Sequence, residues 1–302
     1  MSKFSSFAGG FTGYNNMFTK PPGITATGGT ISIVGAYRYH LFTTSGTLSI
    51  SSLGSVPNNN LNVIMIAGGG GGGSGASGVS GGGGAGGCIE VSNITPTVTS
   101  YSITIGGGGG SGAQGGNTTA FGYTLVGGGY GGIANAAGGN GGSGGGGGVY
   151  GSYSTNSTSG GKGVYSGSTY LNQTPAQGTD GGGGFSYNWG FGGGGGGATL
   201  GGNWPGSAFR SADGFGGNGY YTANFAQFGD TGNLGYFASG GTAYRDEGQG
   251  YAPSNKVPGG GGNITSPAGL NNTGGGGGGI ATSILNTTSS GGSGVVIVRY
   301  LW

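Results

Sequence analysis

Apolar residues along this chain gather in short runs that read as strands. The pattern predicts strands over Thr30–Val34, Tyr37–Phe42, Thr47–Ser51, Leu61–Ala67, Cys88–Ser92, Tyr101–Ile105, Tyr123–Val126 and Val295–Tyr300. Each is rich in β-branched or aromatic residues and most are bounded by small or turn-forming ones. Thr47–Ile50 and Tyr101–Ile105 alternate apolar and polar positions, as a strand with one buried face does. Val63-Ile64-Met65-Ile66 and Val295-Val296-Ile297-Val298 are apolar throughout, which puts them in the centre of a β layer. No window repeats apolar residues at helical spacing, so no helix is predicted. The expected fold class is all-β, with a sandwich-like head formed by N- and C-terminal strands, roughly 30–126 plus 294–302.

Between these strands the chain turns to glycine, 91 of 302 residues, in blocks such as Gly68–Gly73, Gly106–Gly110, Gly144–Gly148, Gly192–Gly197 and Gly274–Gly279. Glycine is the costliest residue to order, so either the chain does not fold or the missing Cβ has a structural use. A Gly/Ser tether is poor in apolar residues. Here 32% of the residues are hydrophobic, with 17 Tyr, 13 Phe and 3 Trp, so the tether reading is rejected. Collagen needs glycine strictly at every third position, which the uninterrupted blocks exclude. The remaining use is a bundle of polyproline-II-type helices, whose bare backbones approach closely and exchange hydrogen bonds between neighbours. Ordering a residue costs roughly 1–2 kcal/mol and a net hydrogen bond returns about 0.5–1.5 kcal/mol. Such a bundle therefore needs a hydrophobic scaffold at its ends, which the flanking strands supply. The chain divides into an N-terminal arm, 1–25, and a glycine-rich β domain, 26–302, with glycine helices and loops over roughly 68–87 and 127–293.

Charge and chemistry narrow the picture by exclusion. Charged residues make up 5% of the chain, 8 basic against 6 acidic, which leaves no nucleic-acid footprint. The apolar stretch Val63–Ala67 is too short to cross a bilayer, so no membrane insertion is expected. The start lacks the apolar region of a signal peptide, which points to synthesis in the cytoplasm. His40, the one histidine, reads as a satisfied strand residue, and Cys88 as a buried structural thiol. Glu90, Asp180, Asp213, Asp230, Asp246 and Glu247 are scattered. Asp246-Glu247 beside Arg245 has the oxygen donors of a calcium loop but reads as a solvated turn. No Gly-Lys-Ser/Thr phosphate loop occurs. No catalytic residue, metal or cofactor is expected, and the chain is not read as an enzyme.

Two aromatic segments carry the candidate chemistry. Residues 149–251 hold more than half of the aromatic side chains, among them Tyr187, Trp189, Trp204, Phe209, Tyr220, Tyr221, Tyr236 and Tyr244. Tyrosine and tryptophan offer contact area at low entropy cost, so these eight are the candidate receptor-binding residues, suited to stacking on sugar rings. The competing reading is that such rings cap glycine helices and make a small local core. In the arm, Phe4, Phe7, Phe11, Tyr14 and Phe18 recur every three or four residues while Gly9, Gly10 and Gly13 oppose a helix. That suits a segment that orders on docking to a partner, or a strap folded over its own head.

The order of the pieces resembles a known family. Tyr37-Arg-Tyr-His-Leu-Phe-Thr-Thr-Ser-Gly-Thr-Leu-Ser-Ile50, Leu61-Asn-Val-Ile-Met-Ile-Ala-Gly-Gly-Gly, Gly81-Gly-Gly-Gly-Ala-Gly-Gly87, Tyr101-Ser-Ile-Thr-Ile and Gly291-Gly-Ser-Gly-Val-Val-Ile-Val-Arg-Tyr300 follow one another. This series resembles the glycine-rich domain of phage tail and other virion proteins, over about 36–300. It is also similar to the glycine-rich ectodomain of anaplastic lymphoma kinase. The resemblance implies a polyglycine bundle and, by analogy with glycine-rich adhesins at the tips of phage tail fibres, host attachment through loops between glycine runs. Unlike those adhesins, this chain has the full β-head pattern. The expectation is a virion surface protein, made in the host cytoplasm, that binds other virion proteins through the arm and a host surface glycan or protein through its aromatic loops. A homo-oligomer is compatible with it. The alternative is a purely structural decoration or appendage subunit. An ice-binding protein would need regular Thr-rich repeats, which are absent.

Overall fold

A computed structural model of the chain describes residues 22–55, 59–75, 78–150, 156–165, 168, 170–171, 175–187, 189–199, 201–202, 214–243, 257–281 and 288–302. The strands are β1 (Thr25–Thr27), β2 (Thr30–Val34), β3 (Tyr37–Phe42), β4 (Gly46–Ser52), β5 (Leu61–Ile66), β6 (Ser74–Gly75), β7 (Cys88–Ile94), β8 (Ser100–Ile103), β9 (Thr118–Ala120), β10 (Tyr123–Leu125), β11 (Ser157–Thr158), β12 (Gly184–Tyr187), β13 (Trp189–Phe191), β14 (Tyr220–Tyr221), β15 (Gly229–Asp230), β16 (Asn233–Leu234), β17 (Tyr236–Phe237), β18 (Ile280–Ala281) and the C-terminal strand β19 (Val295–Leu301). Among the described residues the fold is all-β, with one 3-10 turn at Ala223–Phe225.

The head consists of two antiparallel sheets, one of five strands in the order β2, β3, C-terminal strand, β5, β7, and one of three in the order β1, β4, β8. Ile64 pairs with Ile297 and Val63 with Val298, so the two strands apolar at every position lie centrally, as their pattern predicts. Their alternate side chains point to opposite faces. Val63, Met65, Val296, Val298 and Tyr300 meet Leu48, Ile50 and Ile103 of the smaller sheet in the sandwich core. Ile64, Ile66, Val295 and Ile297 face the other way into a second core. Ile24 is fully buried and Ala26 pairs with Ile50. The head thus begins before residue 26, and residues 22–25 belong to it rather than to an arm.

His40 is fully buried in β3, with Nδ1 2.7 Å from the Gly28 carbonyl and Nε2 2.8 Å from the Tyr300 hydroxyl. A carbonyl only accepts, so Nδ1–H donates to Gly28 and Nε2 accepts from Tyr300. Burial, and behind it the Arg38 guanidinium, hold the imidazole below its ordinary value of 6.5.

The glycine runs form a lattice. In segment 68–73 the N–H groups of Gly68 and Gly71 donate to Gly116 and Ala113, those of Gly69 and Gly72 to Gly292 and Ser289, and those of Gly70 and Gly73 to Gly84 and Gly81. The carbonyls keep the same beat. Gly68 and Gly71 accept from Gly128 and Gly131, Gly69 and Gly72 from Gly109 and Gly112, and Gly70 and Gly73 from Gly277 and Ile280. A partner that recurs every third residue is the signature of a threefold extended helix with no internal hydrogen bonds. Donors and acceptors together reach six neighbouring segments.

The arrangement repeats. Segment 81–87 bonds to 126–132, 193–196, 274–277, 67–73, 143–146 and Gly241, and segment 143–148 bonds to 82–85, 136–139, 179–182, 129–132, 193–196 and Gly161. Each run is one post in a hexagonal array, and the array includes 106–116, which the sequence reading assigned to the head. Glycine is not used here for unusual dihedrals, since Gly68–Gly73, Gly81–Gly84 and Gly144–Gly148 all keep φ outside the left-handed region. The constraint is distance. A Cβ on Gly70 would fall well inside contact with the Gly129 carbonyl oxygen, and one on Gly146 with that of Gly193. At the rim, by contrast, Gly107 and Gly110 have no atom within 4 Å of that position.

Candidate functional site

Gly217, Gly240 and Gly241 still bond within the lattice, and between them the ribbon 219–238 leaves it and lies over the outer face of the five-stranded sheet. The ribbon is made by β14 (Tyr220–Tyr221), which pairs antiparallel with β17 (Tyr236–Phe237), and between them β15 (Gly229–Asp230) pairs with β16 (Asn233–Leu234). Phe237 and Phe225 are fully buried against Ile64, Ile66 and Ile297. The Tyr39 ring meets Phe225 edge-on at 6.3 Å and Phe228 at 5.6 Å, arrangements that aromatic quadrupoles favour. Thr222 caps the short turn that carries Phe225, its Oγ1 accepting from the Asn224 N–H at 3.2 Å.

These packed rings hold others outward. Tyr221, paired with Tyr236 across the ribbon, is 51% exposed. The two rings sit 5.0 Å apart at 47°. Gly235, at φ +83°, makes room for this, because a Cβ there would stand 2.8 Å from Tyr221 Cε2. Tyr220 is half-buried, and its hydroxyl donates to Glu90 Oε2 at 3.1 Å. Asn224 Nδ2 donates to Glu90 Oε1 at 2.6 Å. The Asn224 side-chain and main-chain oxygens accept from Arg299 Nη1 at 3.0 and 2.9 Å, and the Arg299 guanidinium lies 3.9 Å over the Tyr37 ring. Burial, and then the Glu90 carboxylate, push the Tyr220 phenol up to about 12, so it stays a donor at neutral pH.

Two concavities adjoin across β14. One, of about 440 Å³, is lined by Thr199, Asn218, Gly219, Tyr220, Tyr221, Tyr236 and Pro258. The other, of about 370 Å³, is lined by Glu90, Ser92, Tyr220, Tyr221, Thr222, Ala223 and Asn224.

The structure therefore brings together Tyr220, Tyr221 and Tyr236 of the eight candidate receptor residues. Tyr187 and Trp189 pair with each other in a separate ribbon, β12 (Gly184–Tyr187) with β13 (Trp189–Phe191). Trp204, Phe209 and Tyr244 lie outside the described residues, as do Phe4, Phe7, Phe11, Tyr14 and Phe18 of the arm and the Arg245-Asp246-Glu247 turn. Sequence reasoning passed over Glu90, Asn224, Asn218 and Thr199. The one available signal was a carboxylate at an alternate position of an otherwise apolar strand, Cys88-Ile-Glu-Val. The Cys88 thiol is buried, and burial followed by Glu90 pushes it above its ordinary range.

The glycine-rich domain family matches residues 43–301. This chain belongs to that family. No curated protein matches it.

Proposed function

We propose that this chain is a non-enzymatic surface protein of a phage virion, a tail-fibre or tip adhesin that binds the host surface through its aromatic loops. The observation that carries the reading is the Tyr221–Tyr236 pair, Tyr221 exposed and Tyr236 half-buried, held outward from a packed aromatic anchor on a backbone-bonded lattice. Exposed aromatic side chains on a rigid support lose little entropy on binding, as paratope tyrosines do. A chain with 5% charged residues suits contact that does not depend on salt. In this reading the arm residues Phe4, Phe7, Phe11, Tyr14 and Phe18 attach the protein to other virion proteins, and the finished particle is where it resides. Competition of particle adsorption by the purified protein tests it. Saturating protein blocks adsorption to susceptible cells, and Tyr221→Ala with Tyr236→Ala removes the block. A folded protein that neither binds cells nor competes overturns the adhesin reading.

One observation favours a structural subunit instead. Edge strand β2 exposes Ile31, Ile33 and Val34 and carries neither charge nor proline, the devices that usually protect a sheet edge. Under this second reading Ile33→Lys lowers incorporation into particles, whereas an adhesin held by its arm incorporates normally.

A further inference from the structure

We infer that the paired concavities on either side of β14 form a saccharide site that takes a neutral pyranose, an inference that rests on the adhesin reading and names its ligand class. A pyranose has an apolar face of ring C–H groups and a rim of hydroxyls, and the site has a counterpart for each. Tyr221 and Tyr236 supply adjacent aromatic surface, one of them 51% exposed. Glu90 lines the smaller concavity together with Tyr221, and its two oxygens each accept one protein hydrogen bond, from Tyr220 and from Asn224. A carboxylate has about four lone-pair sites, so each oxygen retains room for a ligand hydroxyl. The carboxylate is also held in place beforehand, which lowers the ordering cost of binding. Asn218 and Ser92 add exposed polar groups at the two rims. Volumes of about 440 and 370 Å³ fall at the lower end of the roughly 300–1,000 Å³ of small-ligand sites.

The same residues argue against other ligands. Among the described residues Glu90 is the one ionised group lining either concavity, and the nearby Arg299 guanidinium is committed to the Asn224 oxygens, so phosphates, sulfates and acidic sugars meet repulsion at the lining. A wholly apolar ligand would cover Glu90, Asn218 and Ser92 without satisfying them, a costly loss.

Saturation-transfer NMR with methyl α-glucopyranoside, methyl β-galactopyranoside and N-acetylglucosamine tests the inference, with N-acetylneuraminic acid as the acidic comparison. Irradiating the protein transfers magnetisation to ring protons of at least one neutral sugar and not to the acidic one. Tyr221→Ala lowers that transfer at least five-fold, Tyr221→Phe retains it, and Glu90→Gln lowers it while the melting curve shows the variant folded. No transfer to any neutral sugar, undiminished transfer in Tyr221→Ala, or preference for the acidic sugar overturns the saccharide site. The two readings fail separately. Adsorption blocked without saccharide transfer leaves an adhesin for a protein receptor and sinks the saccharide site. Transfer without any block of adsorption leaves the site and sinks the adhesin.

Discussion

Replacing Gly83 by alanine puts the lattice to its most direct test. Gly83 donates to the Gly277 carbonyl at 2.7 Å and accepts from the Gly241 N–H at 2.9 Å. A Cβ on it would overlap the Gly70 carbonyl oxygen and lie 2.8 Å from the Gly70 and Gly71 carbonyl carbons. All three are backbone atoms, so no side chain can swing aside. Relief requires segments 68–73 and 81–84 to part, which stretches Gly70 N–H to Gly84 and Gly73 N–H to Gly81, both 2.9 Å. Each buried polar group left without a partner costs about 1–3 kcal/mol, and two broken bonds leave two donors and two acceptors unpaired. Even at the low end that is about 4 kcal/mol, a large part of the roughly 5–15 kcal/mol that holds a domain folded. At about 2–4 °C per kcal/mol for a chain of this order of size, the Tm falls by about 10 °C. Gly110→Ala is the control. Gly110 is exposed, has no atom within 4 Å of a Cβ, and keeps φ out of the left-handed region. There alanine restricts the unfolded chain and stabilises by about 0.4–1 kcal/mol. Thermal melts of both variants decide the matter. A Gly83→Ala protein that melts with the wild type, or a Gly110→Ala protein destabilised as much as Gly83→Ala, refutes the close-packed lattice.

Three further outcomes follow from titratable groups. The His40 imidazole is held below 6.5, mainly by burial, so the unfolded chain takes up a proton that the folded one refuses. Stability is then full above about pH 6.5 and declines as pH falls toward the folded value; denaturant midpoints from pH 8 to 5 check this, and His40→Gln flattens the decline. The Tyr220 phenol, at about 12, keeps its proton where an ordinary phenol of 10.0 has lost it. Its stabilisation is complete below about pH 10 and is lost as pH rises toward 12; a Tyr220→Phe variant shows an unchanged phenolate absorbance step at pH 10 to 11 if Tyr220 is silent there. Buried Cys88, its thiol pushed up by its surroundings, reacts with a thiol reagent at neutral pH only as fast as the protein unfolds, whereas reaction at the rate of a free thiol contradicts the burial.

What was legible in the sequence was what single segments determine. Val63-Ile64-Met65-Ile66 and Val295-Val296-Ile297-Val298 are apolar on both faces, and the strands that hold them lie at the centre of the larger sheet. The glycine blocks read as extended helices because no side chain offers them another use. The short β1 and β9 were not legible, since Thr-Ala-Thr and Thr-Thr-Ala hold no large apolar or aromatic side chain to mark them, unlike the equally short β10 with Tyr123 and Leu125. Nor was the wiring of the lattice. Segment 68–73 meets six partners spread from 81 to 292, and every glycine run offers the same chemistry to all the others. The fate of individual rings was equally hidden. Phe237 and Tyr236 are neighbours, yet one is fully buried and the other is not, because the register of a two-residue ribbon decides which faces the sheet. The Glu90–Asn224 contact joins residues 134 positions apart, beyond the reach of any local pattern.

The lattice and the head each complete the other. A glycine helix buries no side chain, so its order depends on what fixes its ends, and segment 68–73 is anchored by running straight on from β5, the most buried strand of the larger sheet. The tyrosine ribbon is fixed to both partners. Phe225 and Phe237 insert into the sheet's outer face. On the other side Asp230 accepts from the Gly259 and Gly260 N–H groups at 3.2 Å, and the Ala238 N–H donates to the Thr273 carbonyl at 2.8 Å. Hydrophobic insertion alone sets depth but little orientation, because it is non-directional. Directional hydrogen bonds to the lattice supply the orientation. Tyr221 can therefore stand half exposed in one fixed place, with Glu90 held beside it by donors from the ribbon and the adjoining turn. A sheet without the lattice would leave the ribbon free to pivot, and a lattice without the sheet would have nothing to hold it in order.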